Sequence, residues 1–227
     1  MKLDTARVFE RIFAIYRDQA GVILPAALIV FVPVAVLAGL VVTGGGALLA
    51  LLTVVIGFVA TFWFQGVVVE AVRDIQDGRR DFSVGDLFRS VQPVLGTLML
   101  AGVLAGLGIA LGLVLLIVPG LFLLTYWAVI GPVIVIERTG AIDAFRRSQE
   151  LVSGNAWRVF GVIVTLFVIQ FVLNSLIGAI FGRDTYGGGV AASLVSNVLV
   201  APIAAIAAAV MYLELRGMRG EPPVSAA

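Results

Sequence analysis

Residues 19–69 have the sequence QAGVILPAALIVFVPVAVLAGLVVTGGGALLALLTVVIGFVATFWFQGVVV, which contains no Asp, Glu, Lys or Arg. One membrane crossing takes about 20 apolar residues, whereas these 51 residues would form a single helix about 75 Å long. The stretch must therefore fold back on itself, and Gly44-Gly45-Gly46 in its interior provides a turn. We expect two membrane-spanning helices joined at these glycines.

Three further uncharged stretches occupy residues 90–136, 159–182 and 185–213. The first is long enough for two crossings, with Pro119-Gly120 as a helix stop and turn, and each of the others fits one. The sequence therefore predicts six spans, at 22–43, 47–69, 94–118, 121–136, 159–181 and 190–213. The fourth would reach only about 24 Å across a hydrocarbon core of about 30 Å, so we expect its turn to lie below the membrane surface.

The composition also indicates a membrane protein. The chain has 227 residues, of which 61% are hydrophobic and 13% are charged, whereas about 25% are charged in a typical soluble domain. It contains no His and no Cys. This excludes an imidazole base, a thiol nucleophile, a Cys/His zinc or iron–sulfur site and a disulfide framework.

The basic residues lie between alternate spans. With six spans, the N-terminal segment, residues 70–93, residues 137–158 and the C-terminal tail share one side and contain 14 of the 15 Lys and Arg residues. Arg183 is the exception. Because loops rich in Lys and Arg stay cytoplasmic, we expect both termini on that side. Residues 1–219 are expected to form one membrane domain, and residues 220–227 a disordered tail.

One pattern occurs three times along the chain. Spans two, four and six each end in Glu with Arg close behind, and the boundary glutamates are Glu70, Glu137 and Glu214. Spans one, three and five each follow an amphipathic segment, at residues 7–18, 83–91 and 141–152. The expected unit is a short interfacial helix followed by a transmembrane hairpin, repeated over 1–73, 74–140 and 141–219. Alternatively, any six-span protein with its loops on one side shows this helix-end pattern.

The amphipathic segments suit the headgroup level of an anionic leaflet, because they carry aromatic residues on one face and arginines on the other. Candidate lipid-headgroup contacts are Arg7, Arg11, Arg146, Arg147 and Arg158. Alternatively, these short helices pack on the bundle's own cytoplasmic face. A cation-binding ring of the boundary glutamates is another reading, although the Arg close to each glutamate favours salt-bridged helix ends.

No ionisable residue lies deep within the predicted spans, which argues against catalysis or ion-coupled transport there. Gln170 and Asn174 share a helical face in span five, as do Ser193 and Asn197 in span six. We expect these faces to hydrogen-bond across the two helices. A path for a polar substrate would use the same residues.

Small residues and prolines recur within the spans. Gly102, Gly106, Gly108 and Gly112 in span three, like Ala201, Ala205 and Ala209 in span six, allow close helix contact within the chain or between copies. Prolines within spans are expected to kink them. These are Pro25, Pro33, Pro132 and Pro202.

The central part of the chain carries a linked string of residues. It comprises Pro119-Gly120-Leu121-Phe122-Leu123, Pro132-Val133, Glu137, Ala144-Phe145-Arg146-Arg147-Ser148, Leu151, Gly154 and Trp157-Arg158-Val159-Phe160. The string resembles the glycerophosphoryl diester phosphodiesterase membrane-domain family, although Tyr126 or Trp127 stands where that family often has Arg. The resemblance implies a multi-span bacterial inner-membrane protein. The phosphodiesterase chemistry of related enzymes belongs to a soluble domain that uses His, which this chain lacks.

The sequence therefore predicts a non-enzymatic integral membrane protein, acting as a scaffold, a regulator or a lipid-interacting domain. We expect no catalytic, cofactor-binding or metal-ligating residues and no nucleic-acid partner. The expected partners are the bilayer with its anionic headgroups, and a second copy or another membrane protein. The alternative is a small transporter or channel for a lipid or apolar metabolite, which the in-span prolines and the Gln170/Asn174 face favour.

Overall fold

The computed structural model describes residues 3–76, 84–182 and 185–221, which form α-helices and one 3₁₀ turn without any β-strand. Arg183 and residues 222–227 of the predicted tail lie outside the described residues. The helices are α1 (Thr5–Val42), α2 (Gly46–Gln76), α3 (Val84–Val91), α4 (Leu95–Leu115), α5 (Ile117–Tyr126), α6 (Ile130–Glu137), α7 (Ala141–Val152), α8 (Ala156–Phe181), α9 (Tyr186–Leu199) and α10 (Ala201–Met218).

Six segments of the described chain are long and apolar enough to cross a membrane. Large apolar side chains point outward along them, and Val114, for example, is 83% exposed. An exposed apolar surface of this extent is favourable in contact with lipid and unfavourable in contact with water. The predicted all-α class with six candidate spans is therefore confirmed. The segments are Thr5–Val42, Gly46–Ile75, Val84–Leu115, Ile117–Glu137, Ala156–Phe181 and Gly187–Met218.

The turn between α1 and α2 lies at the predicted glycines. Gly44 and Gly46 have φ angles of +115° and +69°, a region that residues with a side chain rarely adopt. A Cβ on Gly45 would lie 2.8 Å from the carbonyl oxygen of Leu40. The backbone and its close approach to α1 therefore both require glycine here, and the predicted position of this turn is confirmed.

The second predicted turn was misplaced. α4 and α5 are separated only by Leu116, and Pro119 lies in the first turn of α5. Proline is tolerated there because the first N–H groups of a helix have no intrahelical acceptor. The fourth segment therefore begins at Ile117, and its 21 residues remove the shortfall in length. The glycine of the pair instead allows close packing, since a Cβ on Gly120 would lie 2.5 Å from the backbone nitrogen of Leu113 in α4.

The fourth and sixth segments are interrupted, whereas the first is not. Residues 127–129 separate α5 from α6, and Val200 separates α9 from α10. Pro132 and Pro202 lie in the first turns of the helices that follow these breaks, so they begin new helices where kinks were predicted. Pro25 and Pro33 lie inside α1 without ending it.

The first amphipathic segment is not a separate helix. Residues 7–18 belong to α1, which continues without interruption to Val42, because the single Gly21 costs too little helix stability to end it. The other two segments form α3 and α7. In α7 the buried residues are Ala141, Ala144, Ser148, Leu151 and Val152. Ile142 is apolar but points away from this buried face and is 75% exposed.

The core is formed by α6 and α10. Every residue of Val133–Ile136 is buried, and so is every residue of Ala205–Leu213. Helices that are apolar on all sides need neighbours on all sides; α1, α2, α7 and α9 pack against α10, and α2, α4 and α7 against α6. The small residues of α10 therefore serve packing within the chain.

The glycines of α4 likewise allow contacts inside this molecule. A Cβ on Gly102 would meet the ring of Phe62 at 2.1 Å, and one on Gly108 would meet the ring of Trp127 at 2.7 Å. Such distances force a neighbour to move. Gly106 has no such neighbour.

Candidate functional site

The boundary glutamates each form an ion pair with an arginine. The pairs, with their N–O distances, are Arg138–Glu70 at 2.5 Å, Arg147–Glu137 at 3.0 Å and Arg11–Glu214 at 2.7 Å. The second joins the end of the fourth candidate span to the amphipathic segment expected to open the next unit, and the third joins the end of the last span to the segment that opens the first unit. No group of acidic residues in the described ranges is arranged to hold a metal ion. The structure therefore has the salt-bridged helix ends and not the cation ring.

A second layer of contacts surrounds Glu137. The hydroxyl of Tyr212, a fully buried side chain, donates a hydrogen bond of 2.8 Å to Glu137 Oε1. The same hydroxyl accepts a hydrogen bond of 3.3 Å from Arg216 Nη1. We use the name charged end for the ion-paired residues Arg11, Glu70, Glu137, Arg138, Arg147, Glu214, Arg216 and Glu221.

The carboxylate of Glu221 links two arginines of the charged end. Its Oε2 atom lies 2.5 Å from Arg147 Nη2 and 3.1 Å from Arg216 Nε. Burial alone would raise the pKa of Glu221, but hydrogen bonds and charges from the two arginines outweigh it and lower the pKa. Burial alone would lower the pKa of Arg147, but the contacts with Glu221 and Glu137 raise it above its ordinary value. Both groups are therefore ionised at neutral pH.

The structure separates the five candidate headgroup arginines into two sets. Arg11 and Arg147 form the ion pairs above, and Arg158 donates a hydrogen bond to the carbonyl of Leu3. Arg7 and Arg146 are exposed and make no ion pair with another described residue. The free guanidinium groups among the five are thus those of Arg7 and Arg146.

Exposed apolar side chains accompany Arg146 in sequence. Ile142 lies one helical turn before Arg146 in α7 and is 75% exposed; Trp157 lies in the first turn of α8 and is 85% exposed. An exposed Trp is typical of membrane interfaces, because its ring is apolar and its N–H is polar. Basic and aromatic groups therefore occur together on α7 and the start of α8.

Hydroxyl groups bind the carbonyls that the two helix breaks leave free. At the first break, the N–H of Ile130 donates to the carbonyl of Trp127 and not to that of Tyr126. The carbonyl of Tyr126 instead accepts a hydrogen bond of 2.8 Å from Ser148 Oγ of α7. At the second break, the Leu199 carbonyl accepts a hydrogen bond of 3.0 Å from the hydroxyl of Tyr16. Each interruption is therefore compensated by the amphipathic segment that packs beside it.

A cavity of about 280 Å³ lies beside the break between α5 and α6. Its lining residues are Phe62, Gln65, Leu98, Ala101, Gly102, Ala105, Gly106, Ile109, Trp127, Ala128, Ile130, Gly131 and Ile134. Gln65 supplies a polar side chain to an otherwise apolar wall, and its Nε2 would lie 3.2 Å from a Cβ on Gly131. Such a lining suits an apolar molecule with one hydrogen-bonding group. The sequence signal for this cavity is the amide of Gln65 within the uncharged stretch 19–69. The predicted intramembrane polar contacts did not include it.

The four predicted intramembrane polar residues lie elsewhere. The side-chain amide of Asn174 donates a hydrogen bond of 2.7 Å to the backbone carbonyl of Gln170 in its own helix. Ser193 and Asn197 line a cavity of about 40 Å³ together with residues of α1 that include Phe31. Although α8 packs against α9, Ser193 and Asn197 thus also adjoin α1. Hydrogen bonding between the two pairs stays a prediction.

A protein-family model described as a domain of unknown function, DUF7847, matches residues 47–215. The match covers most of the chain, from the start of α2 into the last turn of α10, so the chain belongs to this family. No curated protein and no solved structure matches the chain significantly.

Proposed function

We propose that this member of the DUF7847 family is a non-enzymatic integral protein of the bacterial inner membrane that binds anionic lipid headgroups on the same side as its charged end, through exposed arginines outside that cluster. In this arrangement the spans form three hairpins, and α3 and α7 lie at the headgroup level. The concentration of basic residues supports a cytoplasmic position for the charged end and both termini. A scaffolding or regulatory role would follow from the same lipid contacts, with a second copy or another membrane protein as partner.

The observation that carries this proposal is the pair of exposed arginines, Arg7 and Arg146, together with the exposed Trp157 that follows α7 in the chain. An arginine already bound to a carboxylate must exchange that partner before it binds phosphate, whereas an exposed, uncompensated guanidinium keeps its donors available. Lipid contacts by Arg11, Arg147 and Arg158 would have to coexist with their protein partners. Arg7 and Arg146 therefore carry the lipid contact in this proposal.

The test compares lipid-dependent stability of the purified chain in neutral detergent. Phosphatidylglycerol should raise the unfolding temperature of the wild type more than phosphatidylcholine does. The R7Q/R146Q double variant should lose at least about half of this difference, because each surface charge contributes on the order of 1 kcal/mol to anionic-lipid binding.

The matched control is R17Q/R89Q, which removes the same number of charges. Arg17 and Arg89 are also exposed, but each is paired with an acid, Asp18 and Asp86 respectively. This control should keep most of the phosphatidylglycerol effect. Equal loss in both double variants would mean that net charge alone matters, and an unchanged R7Q/R146Q would refute the proposal.

The resemblance to the glycerophosphoryl diester phosphodiesterase membrane-domain family is part of this proposal. Residues of the resembling string have defined places in the fold: Ala144 and Leu151 are buried in α7, and Gly154 has a φ angle of +91° in the turn before α8. These roles in packing and turning explain the pattern without a catalytic group. We therefore extend to this chain the membrane location that the resemblance implies, and no phosphodiesterase activity.

The cavity favours a second candidate function, a transporter or channel for a lipid or apolar metabolite. It adjoins a helix break and carries the amide of Gln65, and interrupted helices often line substrate sites in transporters. In vesicles containing the protein, a fluorescent phospholipid should exchange between leaflets faster than in protein-free vesicles. Ala105→Phe, which fills the cavity, should slow the exchange severalfold.

Leu51→Phe is the control for the cavity experiment, because Leu51 is 60% exposed on α2 and outside the cavity lining. It should leave lipid exchange unchanged. Wild-type vesicles that exchange lipid no faster than protein-free vesicles would exclude this second function for the phospholipid tested.

A further inference from the structure

Two guanidinium groups converge on one oxygen atom at the charged end. Arg147 extends from α7 and Arg216 from α10, and both contact Oε2 of Glu221. Glu221 belongs to neither helix, since α10 ends at Met218 and Gly220 turns the chain with a φ angle of +70°. An acidic group from the tail thus occupies a position formed by two helices.

The two arginines are held in place independently of Glu221. Arg147 Nε also donates to both oxygens of Glu137, at 3.0 and 3.1 Å, and Arg216 Nη1 donates to Tyr212. The Tyr212 side chain is fully buried, so its hydroxyl is a fixed anchor. The donors that meet Glu221 would therefore keep their positions if its carboxylate left.

The chemistry of the position is that of a phosphate site. Guanidinium groups bind phosphate through several charge-assisted hydrogen bonds, and a phosphate offers more acceptor atoms and more negative charge than a carboxylate. Without Glu221, the remaining carboxylates near Arg147 are Glu137, bound to its Nε atom, and half-exposed Glu150, 3.9 Å from its Nη1 atom. The donors that Glu221 accepts from, Arg147 Nη2 and Arg216 Nε, would be left for an incoming anion.

We propose that Arg147 and Arg216 form a binding site for a phosphate group, which the Glu221 carboxylate occupies until a phosphate replaces it. The phosphate belongs either to a phosphomonoester lipid headgroup or to a free phosphate in solution. This site does not include the exposed residues Arg7 and Arg146, and the proposal does not depend on their role in lipid binding.

The experiment measures binding of inorganic phosphate and of phosphatidic acid to the full chain in detergent, by the shift in unfolding temperature. Glu221→Gln keeps the size of the side chain and removes its charge. It should tighten phosphate binding by about tenfold, because apparent affinity scales with the fraction of molecules whose site is free, which is about one tenth if Glu221 occupies the site in about nine molecules of ten. Adding R216Q to this variant should abolish the gain.

Glu150→Gln is the matched control, because Glu150 lies 3.9 Å from Arg147 and its side chain is 52% exposed. It should change phosphate binding little. A gain with phosphatidic acid alone identifies a lipid headgroup as the ligand, and a gain with inorganic phosphate identifies a soluble one. Unchanged binding of both in Glu221→Gln, or a gain that survives R216Q, would overturn the proposal. The R7Q/R146Q variant should bind phosphate at this site normally, so either proposal can fail alone.

Discussion

Arg146 and Arg147 are adjacent in the sequence, yet their surroundings differ. Arg146 is exposed, whereas the Arg147 side chain is 23% exposed and lies between Glu137 and Glu221. Successive residues of a helix point about 100° apart, so one points away from the bundle and the other toward it. The two residues therefore contribute to different properties.

We expect Arg147→Gln to destabilise the protein by about 1–3 kcal/mol, since it leaves Glu137 and Glu221 without their shared cation in a partly buried site. Arg146→Gln should change stability by less than about 0.5 kcal/mol, as surface substitutions usually do. Unfolding of each variant in the same detergent measures the difference. Equal stability of the two variants would show that the Arg147 contacts contribute nothing measurable.

The sequence indicated which arginines lie near the membrane boundary but not which are paired. The partner of Arg11 is Glu214, 203 positions away, and no local spacing predicts a contact of that kind. The Glu137–Arg147 pair spans only 10 positions, but a turn lies between them. Residue types and their segregation were therefore readable from sequence, whereas partners required the tertiary structure.

At the scale of elements, the uncharged stretches were sufficient to predict six helical segments and the glycine turn, whereas the turn at Pro119-Gly120 was misplaced. The breaks were not predicted, because proline has two outcomes in an apolar run. Pro25 and Pro33 stay inside α1, whereas Pro132 and Pro202 begin new helices. A break requires another group to bind the freed carbonyls, and here those groups are Ser148 and Tyr16, which lie 22 and 183 positions from the carbonyls that they bind.

The contacts between elements have a consistent direction around the molecule. The amphipathic helix α3 packs on α2, α7 packs on α6, and α1 packs on α10. Each expected unit thus packs against the second span of the unit before it, and the first unit packs against the second span of the last unit. This order agrees with the predicted threefold repeat, which stays a prediction.

The orientation of the whole molecule can be tested because the chain contains no Cys. Gln149→Cys places a thiol at an exposed position of α7, and Thr43→Cys places one at an exposed position in the turn between α1 and α2. Since basic loops stay cytoplasmic, a membrane-impermeant maleimide should label Thr43→Cys in intact spheroplasts and Gln149→Cys only after permeabilisation. The unaltered chain serves as the blank.

Labelling of Gln149→Cys in intact spheroplasts would place the charged end outside and contradict the proposed orientation. Labelling of both variants without permeabilisation would show that the spheroplasts leak, which a cytoplasmic marker protein labelled in parallel detects.

The hydrogen bond from Tyr16 to Leu199 and the Arg11–Glu214 ion pair have a consequence for biosynthesis. The N-terminal helix leaves the ribosome first, but the partners of both side chains are made last, and chains are synthesised at about 5–20 residues per second. For roughly ten seconds or more, α1 sits in the membrane with these groups unmatched. Assembly of the bundle is therefore completed only when translation ends, and a nascent chain stopped before α10 would present an open seam to the membrane's quality-control proteases.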